Sequence, residues 1–123
     1  MMEETFNLVG KNFENNIVTL FKDLRFDTEF INVTLVCDDG QQLKAHKIIL
    51  SSCSPLFRNM FVNNPHQHPL IFLKGIEYVT LQSVLNFIYL GQTEVKQRDL
   101  DRFLAAAKEL QINGIVKDLS MLM

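Results

Sequence analysis

The chain has no tryptophan and only two cysteines, three prolines and five glycines among its 123 residues. Cys37 and Cys53 are too few and too far apart for a disulfide framework or a CxxC redox motif. Because the N-terminus carries no secretory leader pattern, reduced thiols in an intracellular setting are expected. So few prolines and glycines leave the chain few interruptions, which predicts mostly regular, packed structure. No apolar run approaches the roughly 20 residues that span a bilayer, so no membrane is expected as a partner. Basic clustering is missing as well. The 12 Lys and Arg are outnumbered by 14 Asp and Glu, for a net charge of -2, and without a run of positive charge to neutralise phosphates no direct nucleic-acid binding is expected.

What is present is apolar bulk: 47% hydrophobic residues, ten of them phenylalanine. A chain of this length suits one domain and buries about two thirds of its unfolded surface without metal or disulfides. Near the N-terminus, "TFNLV" alternates Phe6 and Leu8 with polar neighbours and reads as a short strand lacking a local partner. In "NFENNIVTLFKDLRF", Phe13, Ile17, Leu20, Phe21 and Leu24 fall on one helix face, a stripe that serves either a core or a second chain.

The period then changes to two. Ile31, Val33, Leu35 and Cys37 alternate with Asn32, Thr34 and Val36, "DDG" at 38 to 40 supplies a turn, and Leu43 and Ala45 share a face in "QQLKA", predicting a β-hairpin. Helical segments follow. Ser54 is the expected N-cap and Pro55 the first residue of a helix that stops before Pro65. "LIFL" at 70 to 73 is a short strand. Thr80 is expected to cap a helix carrying Leu81, Val84, Leu85 and Ile88 and ending near Gly91, and from Asp99 the positions Leu100, Phe103, Leu104 and Ala107 repeat the pattern. "NG" at 113 and 114 predicts a break before a last short helix, "IVKDL". This order predicts an α+β domain with most of its sheet in the first half.

The stretch "LKAHKIILSSCSPLF" sets a His-Lys pair beside a Ser-Ser-Cys-Ser cluster and invites a catalytic reading. Such a site needs a nucleophile within reach of its base, a group to orient that base, and donors for developing negative charge. None of the motifs that supply them surrounds His46. The serines suit helix-end hydrogen bonding, Cys53 suits a small buried apolar position, and His46 suits a structural role at a strand-to-helix junction. No catalytic residue is expected. Metal is not expected either, because Cys37, His46, Cys53, His66 and His68 fit no ligand spacing and "PHQHP" reads as an exposed loop.

The sequence resembles the BTB/POZ domain through "FINVTLVCDDGQQLKAHKIILSSCSPLFRNMF" at 30 to 61, "HPLIFLKGI" at 68 to 76, "LNFIYLGQTEV" at 85 to 95 and "LDRFLAAAKELQINGI" at 100 to 115. It is most similar to the insect tramtrack type, found at the N-terminus of zinc-finger transcription and chromatin-architecture proteins. The resemblance implies one domain over 1–123, part of a longer chain, with a small β-sheet flanked by about five to six helices. It implies an exchange strand at 1–10, a dimer helix at 12–26 and a core at 30–118.

By the same resemblance the function is homotypic interaction: a nuclear homodimer, with multimers of dimers such as hexamers, that recruits transcriptional or chromatin cofactor proteins. It implies no enzyme activity, no bound cofactor and no metal. Phe6, Leu8, Phe13, Ile17, Leu20, Phe21 and Leu24 would form the dimer interface, so Ile17→Asp or Leu20→Asp is expected to yield aggregate or unfolded chain. The alternative is an adaptor for a cullin-type ubiquitin ligase, but the hydrophobic-x-Glu feature of such adaptors is missing from "FVNNPHQHP". Two departures from the tramtrack pattern stand out. "LVGKNF" replaces the usual "LRWNN", and Asn32 occupies the place of an Asp that pairs with a base at the position of Lys47 in a pocket near the dimer seam.

Overall fold

A computed structural model describes residues 2–115. Among these, five helices surround a three-stranded sheet: α1 Phe13–Leu24, β1 Val33–Cys37, β2 Gln42–Ala45, α2 Lys47–Cys53, α3 Pro55–Asn63, β3 Leu70–Leu73, α4 Tyr78–Leu90 and α5 Gln97–Glu109. The architecture is α+β.

The strand order is β2-β1-β3, with β1 antiparallel to β2 and parallel to β3. The hairpin forms where the alternation placed it, and Gly40 closes its turn at φ 86°, a conformation that a side chain would strain. One expectation fails in detail. Alternation implies one covered face, yet every residue of β1 is buried, because the strand is central and flanked on both edges. Val33, Leu35 and Cys37 turn toward the helices. Thr34 and Val36 turn the other way, and the buried Thr34 hydroxyl bonds His68 Nε2 at 2.8 Å.

Helix ends show where local signals suffice. Ser54 caps α3 as its sequence predicts: its Oγ accepts the Phe57 N–H at 3.2 Å and donates to the Leu110 carbonyl at 2.5 Å, tying α3 to the end of α5. Gly91 ends α4 in the left-handed region. Thr80, however, is no cap. α4 begins at Tyr78, whose N–H bonds Asp39 Oδ2 from the hairpin turn at 3.4 Å, so the cap comes from 39 residues upstream. Likewise α5 starts at Gln97, two residues before Asp99.

The break expected at Asn113 and Gly114 comes earlier. The Gln111 N–H bonds the Lys108 carbonyl at 3.1 Å, the Ile112 N–H bonds the Ala107 carbonyl at 2.8 Å, and Gln111 itself adopts φ 58°. These are the paired bonds of a Schellman ending, here built on glutamine instead of glycine. Ile115 is outside any helix, and residues 116–119 of "IVKDL" lie outside the described residues.

The inner sheet face and helices α2 to α5 enclose one core, with Leu35, Leu50, Phe57, Leu81 and Leu85 almost fully buried. Burying each such side chain stabilises the fold by about 1.5–3 kcal/mol. Helix α1 stands apart from it. None of its residues is buried, and it rests against α4.

Candidate functional site

An amphipathic helix normally hides its stripe, but α1 does not. Phe13 is 63% exposed, Leu20 55%, and Ile17 and Phe21 38% each. Only Leu24 packs against the core, as a partly buried residue. The preceding segment adds more apolar surface. Residues 2–10 form no strand, and Phe6 and Leu8 are 74% and 90% exposed. An isolated strand cannot satisfy its backbone, and among the described residues the alternation in "TFNLV" finds no pairing edge. Phe6, Leu8, Phe13, Ile17, Leu20 and Phe21 thus share one property: each is a large apolar side chain left in water. Monomeric proteins rarely leave such surface contiguous.

What holds α1 in place is its C-terminal end. Arg25, the C-cap, is 6% exposed; its Nε donates to Asn86 Oδ1 at 3.3 Å, and its guanidinium lies 4.9 Å from the Phe26 ring and 5.7 Å from the Tyr89 ring. Burial pushes the Arg25 pKa below its ordinary value, opposed by the fields of Tyr89 and Tyr78. No local pattern marks Arg25, because Asn86 and Tyr89 are some 60 residues away.

His46 sits at the N-cap of α2 and is buried. The Tyr89 hydroxyl accepts its backbone N–H at 3.0 Å and lies 2.7 Å from its Nδ1. Its Nε2 is buried without a partner among the described residues. Desolvation lowers the His46 pKa, against a smaller opposing field from Asp27, while burial raises that of Tyr89. Neutral imidazole and neutral phenol are therefore the resting forms, a structural pair, as expected for His46. Ser52 bonds the Ile49 carbonyl and Ser54 caps α3, which occupies the neighbouring hydroxyls in the chain. Cys53 packs against the core but is only half-buried, a correction to the buried position expected of it, because α2 ends there at the edge of the core. Among the described residues no three His, Cys, Asp or Glu side chains are grouped to hold a metal, and no helix is long and apolar enough to cross a membrane.

Asn32 and Lys47 do meet. Asn32 Oδ1 accepts the Lys47 backbone N–H at 2.8 Å, supplying the first turn of α2 with a cap that His46 does not provide. The Lys47 ammonium turns elsewhere, to the carbonyl oxygen of His66. The amide and the base are neighbours through the backbone, and no salt bridge joins them.

A family model described as the BTB/POZ domain matches residues 21–123. Among curated proteins, the chain is 42% identical over 115 residues to "Longitudinals lacking protein-like" of Drosophila melanogaster, covering 94% of this chain and 90% of that protein. It is 39% identical over 117 residues to the alpha isoform of protein tramtrack of Drosophila melanogaster, covering 95% of this chain and 14% of that protein. The Broad-complex core protein is matched over 16% of its length, so this chain corresponds to a small part of such relatives. Among solved structures, the BTB domain of human gigaxonin superposes with a TM-score of 0.71 at 23% identity over 89% of both chains, and that of zebrafish PATZ1 with 0.72 at 20% over 88% of both.

Proposed function

Because the chain belongs to the BTB/POZ family, a family of protein-interaction domains and not of enzymes, we propose that it works by homotypic association, dimerising a nuclear transcription or chromatin regulator and recruiting protein cofactors to it. The observation that carries this reading is the uncovered face of α1. A helix bearing Phe13, Ile17, Leu20 and Phe21 in water, with Phe6 and Leu8 beside it in sequence, is unfavourable in a lone chain. Two copies related by a two-fold axis cover the same patch on each other, and such isologous contacts are the commonest way to bury it. Each large apolar side chain so covered contributes about 1.5–3 kcal/mol, less the cost of association.

In this reading Phe6, Leu8, Phe13, Ile17, Leu20, Phe21 and Leu24 form the self-interface, and the 2–10 segment gains in the partner the strand pairing it lacks alone. Asn32 and Lys47 then lie near the seam. With no carboxylate at 32, the Lys47 ammonium, which bonds the neutral His66 carbonyl, keeps its charge for an acidic group of a recruited protein. The nuclear setting and the role in transcription or chromatin rest on the Drosophila relatives named above, and multimers such as hexamers remain part of the proposal.

Light scattering on the size-exclusion peak tests the role of the N-terminal segment. The intact chain is expected at a dimer mass or a multiple of it. If deletion of residues 1–10 reduces a larger discrete mass to a dimer, that segment joins dimers to one another; an intact chain that is monomeric throughout contradicts the proposed function.

A further inference from the structure

Strand β3 is an outer strand of the sheet, and its free side is unpaired among the described residues. The Thr34 N–H bonds the Pro69 carbonyl at 3.1 Å while Thr34 stands opposite Leu70. In a parallel ladder with that phase, the backbone groups of Pro69, Ile71 and Leu73 turn toward β1. The N–H and C=O of Leu70 and Phe72 therefore face outward.

The side chains of these same two residues lie on the sheet face away from the core, 63% and 65% exposed. Natural edge strands are usually blunted by charge, proline or a bulge. The opposite edge follows that rule, because β2 sets Gln42 and Lys44 on the same outer face. β3 does not: it offers two apolar side chains with open backbone groups at alternate positions, the pattern that receives an added strand.

Charge distinguishes the two ends of the edge. Lys44 lies across Thr34 from Leu70 in register, and the Lys47 ammonium sits on the His66 carbonyl just ahead of the strand. At the far end Asp38 accepts the Gly75 N–H, which sets a carboxylate beside the residue that follows Lys74. The Leu70 end is the positive one.

We propose that β3 is a docking edge for an extended segment of another protein, which adds as a fourth strand, sets alternate apolar side chains beside Leu70 and Phe72, and turns a carboxylate toward the positive Leu70 end. This edge belongs to the sheet, whereas the self-interface proposed above is built from α1 and the 2–10 segment, and the experiment separates the two by deleting that segment.

The test is fluorescence anisotropy with the whole chain and a labelled peptide of two glutamates followed by three Val-Thr repeats. Saturable binding is expected, weakened by added salt and reduced about tenfold or more by Phe72→Glu. The milder Leu70→Thr, which keeps a strand-forming residue, is expected to weaken it in the same direction. A peptide N-methylated at alternate backbone positions should fail to bind, since it cannot complete the ladder. The proposal is overturned by no binding up to about 1 mM, or by binding indifferent to N-methylation or to Phe72→Glu. Binding that appears only after deletion of residues 2–10 overturns it too, by assigning the edge to the chain's own N-terminal segment.

Discussion

The Tyr89 hydroxyl closes a ring of two hydrogen bonds on His46, accepting the backbone N–H at 3.0 Å and meeting Nδ1 at 2.7 Å. One side chain of α4 thereby fixes both the start of α2 and the imidazole that precedes it. Because Tyr89 also lies under the Arg25 guanidinium, the same ring system helps seat the end of α1.

Tyr89→Phe removes the hydroxyl and leaves a buried N–H and a buried ring nitrogen without partners. An unsatisfied buried group costs about 1–3 kcal/mol. The variant is expected to lose about 2 kcal/mol or more and to melt roughly 8 °C lower, measured by thermal unfolding at pH 7.

The His46 pKa is lowered from its ordinary value of 6.5. Above that value both folded and unfolded chains hold the imidazole neutral, and the contribution of this group to stability is complete. As the pH falls below it the unfolded chain takes up the proton first, so stability declines until the folded-state pKa is passed. Denaturant melts between pH 7.5 and about 5 should show this decline, and His46→Gln, though less stable at pH 7.5, should show a shallower one.

Asn32 caps α2 through a single carbonyl oxygen. Asn32→Ala is expected to cost about 1 kcal/mol. Asn32→Asp keeps the acceptor and adds charge to it, so a gain of a few tenths to about 1 kcal/mol is expected. A loss of stability in the Asp variant would contradict the capping role.

Gln111 holds the left-handed position of the α5 ending at φ 58° and is exposed. An L side chain there costs about 1–2 kcal/mol that glycine avoids, partly offset by glycine's greater freedom when unfolded. Gln111→Gly is expected to raise stability by about 0.5–1 kcal/mol in urea unfolding.

Much of this fold is legible in the sequence because its signals are local. The alternation around Leu35, the Ser54-Pro55 cap and the glycine at 91 each act within a few residues. The misreadings share a different cause. Thr80 yields to Asp39 because a distant turn supplies the cap, and Gln111 ends α5 because tertiary packing forces a conformation that composition assigns to Gly114. His46, Tyr89 and Arg25 come together from separate elements, a relation that periodicity does not encode. The stripe on α1 is an intermediate case. Its spacing reveals an apolar face, but only the folded chain shows that face left uncovered.

The most direct test of the self-association account compares the light-scattering mass of the intact chain with those of Leu20→Asp and Asn15→Asp over a wide concentration range. Leu20 lies in the apolar stripe, and Asn15 lies on the opposite side of α1 and serves as the control. The account predicts a dimer, or a multiple of it, for the intact chain and Asn15→Asp, and loss of that species to aggregate or unfolded chain for Leu20→Asp. A Leu20→Asp chain that keeps the intact mass, or an intact chain that is a folded monomer at every concentration, contradicts it.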